Sequence, residues 1–169
     1  MHVRDRVKEL RRVKAADLEP SPKNWRTHPE KQKNALRGAL AEIGFADAVL
    51  ARELEDGSLQ LIDGHLRAET LPDMEIPVLV LDLDEAEADK LLLTLDPLAA
   101  LAQADSAKLD ALLREVQTSN EDLAGMLTGM AEQAGVIPGV ESTDLPDLPE
   151  GDKSPFQQMT FTLDRKSVV

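Results

Sequence analysis

The spacing of apolar residues along this chain switches between every second position and every third or fourth, and the switches divide it into elements. Met1 to about Arg11 is charged and weakly patterned, which predicts a frayed arm or a short helix, while Val13 to Leu18 reads as a strand stopped by Pro20 and Pro22. After the loop Lys23-Asn24-Trp25-Arg26, the run Thr27-His28-Pro29-Glu30 carries the spacing of a capping box, so a helix should start there. Leu36, Leu40 and Ile43 then fall on one helical face, and Gly44 is placed to end the helix in a left-handed conformation. Ala48 to Glu53 and Ser58 to Ile62 are strand-like runs joined through Asp56-Gly57, which predicts a hairpin. Ile76 to Leu81 reads as a buried strand with Pro77 near its start. A long helix follows from Asp84 through Leu95, apolar at Ala88, Leu91, Leu92 and Leu95, with Asp96-Pro97 marking its end or a kink.

Two further helices, Ser106 to Val116 and Asn120 to about Gln133, start next to residues that cap well and form a helical annex. From Gly135 to Pro155 the composition is that of a linker, rich in Pro, Gly, Ser and Asp, and Phe156 to Leu163 alternates like a strand with no visible partner. Asp164 to Val169 resembles the translation of a sequencing-adapter read-through, so the reading frame is expected to be cut short there. The predicted layout is therefore a basic arm (1–11), a domain (12–100), a helical annex (101–134), a linker (135–155) and a truncated C-terminal strand (156–169).

The densest local signal is Leu59-Gln60-Leu61-Ile62-Asp63-Gly64-His65-Leu66-Arg67, an apolar strand that turns at Asp63-Gly64 and enters a short helix limited by Pro72. The first N–H groups of a helix lack internal partners and carry the positive end of its dipole, so such a turn is a natural seat for phosphate. Gly64 serves either that seat or only the tight turn, and Arg67 either grips an anion or pairs with a carboxylate such as Asp63. His65, at a helix start, is expected to be a neutral hydrogen-bond donor. Arg26 either reaches the same anion or holds backbone carbonyls, Asn24 reads as a turn residue, and Trp25 as a cover for the core. Asp96 is a candidate magnesium ligand or merely the start of a turn. The acidic run Asp82, Asp84, Glu85, Glu87 and Asp89 reads as a helix start with a solvated face, and His2 and His28 lack partners at metal-ligand spacing.

Composition narrows the chemistry. With 169 residues, of which 42% are hydrophobic, the chain can bury one core and is short for two full domains. It has no cysteine, which removes disulfides, thiolate zinc sites and thiol catalysis and suits a reducing cytoplasm. No apolar run has membrane-spanning length, so a soluble cytoplasmic protein is expected. The net charge of −13 opposes binding to duplex DNA, yet residues 1–44 hold 11 Lys and Arg against 6 Asp and Glu, whereas residues 45–169 hold 8 against 26. An anionic ligand should therefore meet the N-terminal segment and the Arg67 turn.

The Asn24-x-Arg26-x-His28 loop, the glycine-ended helix and the Gly64-His65-Leu66-Arg67 turn, in this order, resemble the N-terminal domain of the ParB/sulfiredoxin-like superfamily over about residues 12–100. The resemblance is closest to ParB-like domains of phages and mobile elements, which often stand beside DNA methyltransferases. It implies an α+β fold, a mixed sheet with packed helices, followed here by the small helical annex. It also implies a nucleoside triphosphate or diphosphate with Mg2+, its phosphates on Asp63, Gly64, His65 and Arg67 with Arg26, and Asp96 toward the metal. Gly64 and Arg67 match the Gly-Glu-Arg-Arg turn of the partitioning proteins, whereas His65 and Leu66 replace its Glu and Arg; Asp96-Pro97 replaces Glu-Asn, and Ala48 a proline. Sulfiredoxin's reductase chemistry needs a cysteine that this chain lacks, and no DNA-reading helix-turn-helix is evident in residues 105–133. The reading is a nucleotide-binding domain serving DNA transactions of a mobile element or phage, with DNA met directly or through a partner such as a methyltransferase. A metal-dependent DNA nuclease using Asp96 or Asp63 and a non-catalytic adaptor docking through Leu109, Leu112, Leu113 and Val116 are the alternatives.

Overall fold

The computed structural model describes residues 2–136. Five strands, β1 (Val7–Lys14), β2 (Leu18–Glu19), β3 (Val49–Glu53), β4 (Leu59–Asp63) and β5 (Glu75–Leu81), form one sheet in the order β1-β5-β3-β4-β2. β1 runs antiparallel to β5, β5 parallel to β3, β3 antiparallel to β4 and β4 parallel to β2. The helices are α1 (Glu30–Ile43), α2 (His65–Thr70), α3 (Glu85–Ala100), α4 (Ser106–Glu115) and α5 (Glu121–Gln133). The α+β mixed sheet with packed helices thus matches expectation.

Alternation along the strands sorts the core into two layers. Val49, Ala51, Leu59, Leu61, Ile76, Val78 and Val80 face one side with Ala15, Leu18 and Ala68, while Ile62 and Leu81 face the other against Ala88 and Leu92 of α3. Burying both faces explains why β5 is a nearly continuous apolar run. Pro77 is tolerated in this central strand because β3 begins to pair only at Val78.

Four expectations need correction. Residues 7–11 are not a frayed arm or helix but the first part of β1, hidden from pattern reading because an edge strand can carry charge on both faces. Val13 to Leu18 is not one strand; a 3-10 turn at Ala15–Asp17 interrupts it, and the two pieces lie at opposite edges of the sheet. Thr27 forms no cap, since α1 starts two residues later behind Pro29, and its apolar face is only partly buried: Ala35 and Gly38 are buried, whereas Ile43 is 73% exposed. Asp96-Pro97 does not end α3, which runs on to Ala100 with Pro97 inside it, so the end is ruled out and only the alternative of a kink is left.

The remaining boundaries agree well. Gly44 ends α1 with φ of 87°, the β3–β4 hairpin forms, and Asp84 caps α3 in a reciprocal capping box with Glu87. α4 and α5 form with Asp105 and Asn120 as side-chain caps. α5 packs along α1, where Asn120 fills the space above Gly38 and the Glu42 carboxylate accepts from Thr118 Oγ1 at 2.8 Å and Ser119 N at 3.0 Å. Among the described residues no helix is long and apolar enough to cross a membrane. The linker and terminal strand expected beyond residue 136 lie outside the described residues.

Candidate functional site

β4 delivers the chain to the turn with Leu61 and Ile62 fixed in opposite core layers, so the position of Asp63 and Gly64 is set by the sheet. Gly64 caps α2 in the left-handed region, with φ of 92° and ψ of 18°. Its Cα lies against fully buried Val49, and a Cβ there would sit 2.8 Å from the Val49 Cβ, so close backbone packing as well as the positive φ requires glycine. The helix that follows has only six residues. So short a dipole is a weak anion attractor, and side chains must supply the charge.

His65 is 5% exposed and turns inward, where its Nε2 accepts from the Ser21 N–H at 3.1 Å. The proton therefore sits on Nδ1. Burial pushes its pKa below the usual imidazole value against the opposing pull of Asp63 and Glu69, so the ring is neutral, as expected. The contact seen is one in which Nε2 accepts, and it ties the Ser21 loop to α2.

Arg67 and Arg26 are the two cations of the site. Arg67, with its side chain 22% exposed, gives Nη1 to Asp47 and Nη2 to Asp63 at 3.1 Å, and its Nε is buried without a partner in the protein. The sequence alternative of an Arg67–Asp63 pair is thus present, with Asp47 added. Arg26, 17% exposed, donates Nη1 to Asp96 at 2.8 Å and keeps a buried Nη2 without a partner. Its guanidinium lies 4.9 Å from the centroid of the Trp25 ring. Asn24 accepts from Arg26 N at 3.2 Å and so acts as the predicted turn residue. Trp25, expected in the core, is 58% exposed because it flanks this guanidinium instead.

These groups converge on one open cleft of about 270 Å³, lined by Asn24, Arg26, His28, Gln32, Leu36, Asp63, Gly64, His65, Leu66, Arg67 and Asp96. All six residues singled out from the sequence, Asp63, Gly64, His65, Arg67, Arg26 and Asp96, thus line a single cleft, His65 with its ring turned away. Asp47, Gln32, Leu36 and the Ser21 backbone were missed; each meets the site only through tertiary contact, and no local pattern marks it. The fit to an anion rests on the two orphaned guanidinium N–H groups and the glycine that brings backbone close. The fit to a metal is weaker: Asp63 and Asp96 already hold arginines, and no group of three potential ligands exists among the described residues. The acidic run at 82–89 is structural, with Lys23 bridging Glu85 and Asp89 at 2.7 Å each and Arg6 gripping Glu87.

No protein-family model matches the chain, and no curated protein matches it in sequence. Its fold is similar to that of the C-terminally truncated chromosome-partitioning protein ParB from Caulobacter crescentus complexed with CTP-γ-S, with TM-score 0.53 and 18% identity over 76% of this chain and 72% of that one. The same protein complexed to the centromeric parS site aligns with TM-score 0.42 and 17% identity, covering 74% and 68%. The fold of this chain is ParB-like.

Proposed function

We propose that this chain is a nucleotide-binding domain that takes the phosphates of a nucleoside triphosphate or diphosphate in the Gly64 cleft, through Arg67, Arg26 and the backbone of the turn. What supports the reading is that two partly buried arginines line one cleft, each with a buried N–H left over after its aspartate is served. The ParB-like fold adds to it, since the similar Caulobacter protein was solved with CTP-γ-S. Magnesium, in this reading, comes with the phosphates and uses one cleft carboxylate, Asp96 or Asp63.

The wider setting, DNA transactions of a phage or mobile element in the cytoplasm, rests on the sequence resemblance. DNA is met through a partner rather than directly, because much of the basic excess of residues 1–44 is already neutralised: Arg6 by Glu87, Lys8 and Arg11 by Glu53, and Lys23 by Glu85 and Asp89. A DNA methyltransferase is one such partner, testable by co-purification. The adaptor reading has its own support in α4, which has no buried residue and leaves Leu112 57% and Val116 46% exposed.

Calorimetric titration of the full chain with CTP, ATP, ADP and GTP, with and without magnesium, tests the site. Saturable binding is expected, with Arg67→Ala weakening it about 10- to 100-fold, the cost of losing hydrogen bonds to a charged group. Binding to none of the four would move the function to the helical annex.

A further inference from the structure

The two carboxylates that hold Arg67 differ in how firmly they are fixed. Asp63 ends β4, is 27% exposed and stands one helical turn before Arg67. Asp47 lies in the segment between α1 and β3 and is 63% exposed, and its other oxygen accepts from the Ala48 N–H at 2.7 Å. Each takes one N–H of an Nη atom, so a phosphate can meet the Nε–H left over but can take both Nη atoms bidentately only by displacing a carboxylate. Asp47 is the one that can leave, because an exposed pair is weakened by water and salt whereas Asp63 is held by the sheet.

Of Asp, Glu, Lys and Arg side chains, the cleft and its rim hold Arg26 and Arg67 against Asp47, Asp63 and Asp96; His65 is neutral, and His28 is the other histidine of the lining. A phosphate seat with more carboxylates than guanidinium groups repels the ligand it was built to take. Resting on the nucleotide-site reading above, we propose that Asp47 is a built-in competitor for the anion: it occupies Arg67 in the resting protein and lowers phosphate affinity, so that the site fills only at high ligand concentration or when a cation offsets the charge.

The test titrates CTP, ATP, ADP and GTP, and separately inorganic triphosphate, into the full-length wild type, Asp47→Asn, Asp47→Ala and Arg67→Ala. Asn keeps the bond to Ala48 N while removing the charge and the acceptor that holds Arg67, and Ala removes all three, so the pair separates the hold on Arg67 from loop geometry. Asp47→Asn should bind roughly tenfold more tightly than wild type at low salt, by the same factor for nucleotide and inorganic triphosphate, with the gain shrinking as salt screens the exposed carboxylate. Binding by Asp47→Asn where wild type is silent would support the proposal in its strongest form. Unchanged or weaker binding by both Asp47 variants, while wild type binds and Arg67→Ala does not, would overturn it and make Asp47 an orienter of Arg67, leaving the nucleotide site intact. A gain confined to nucleotides would also overturn it, since Asp47 would then act on the base. If no variant binds any ligand and all melt as the wild type does, this proposal and the nucleotide reading both fall.

Discussion

Alanine at position 64 would meet two obstacles at once, a backbone in the left-handed region and a side chain driven into Val49. The first costs an L-residue about 1 to 2 kcal/mol and overpacking a further 1 to 3, so Gly64→Ala should lower unfolding free energy by roughly 2 to 5 kcal/mol in denaturant titration. A loss under about 0.5 kcal/mol, the scale of an ordinary surface change, would show that the turn relaxes freely. At this scale much of the site was legible: a glycine turn followed by an arginine needs no tertiary knowledge to be suspected. Asp47 was illegible because its role depends on a contact 20 positions away in sequence, and His65 because residue type alone does not say which way a ring turns.

Among the elements, α1 and α5 owe their close approach to Gly38, over which the Asn120 side chain lies while its Oδ1 accepts from Leu123 N at 2.8 Å. A methyl group at position 38 would collide with that cap. In Gly38→Ala, amides of α5 should therefore lose hydrogen-exchange protection while those of β3 and β5 keep theirs. Equal loss in both would mean that α5 and the sheet open as one unit, contrary to expectation. The elements themselves were mostly readable, since α3, α4, α5 and the β3–β4 hairpin follow from periodicity, caps and turn residues. β1 was not, because Val-Lys-Glu-Leu-Arg-Arg-Val-Lys has no apolar face; its charges are matched across the sheet by Glu53, which draws Lys8 Nζ to 2.6 Å and Arg11 Nη2 to 3.1 Å. Pro97 misled in the other direction: α3 carries it near its C-terminal end and stops only at Ala100.

Taken whole, the molecule sets a basic first segment against an acidic remainder, and the two are joined by ion pairs. The firmest is at Glu87, whose carboxylate accepts from both Nη atoms of Arg6 at 2.7 Å and from Asp84 N at 3.2 Å. The Arg6 hydrogen bonds, helped by the Asp84 backbone, bring its pKa down from 4.5 to about 2. A depressed carboxylate stabilises the fold fully above its unfolded value and progressively less as pH falls through its folded one. The difference in stability between wild type and Glu87→Gln should thus be constant at neutral pH, narrow below about pH 4.5 and vanish only below about pH 2, as read from paired unfolding curves. A difference that does not narrow between about pH 4.5 and about pH 2 would show that the contact is not ionic. Strand order has a last consequence, one of timing during synthesis. Among the described residues β1 pairs only with β5, Lys14 with Glu75 and Val7 with Leu81, so once made it has no described neighbour until more than sixty residues later. At about 5 to 20 residues per second it waits roughly 3 to 15 s as a bare strand, and the lysines and arginines that disguise it in the sequence keep it in water until its partner arrives.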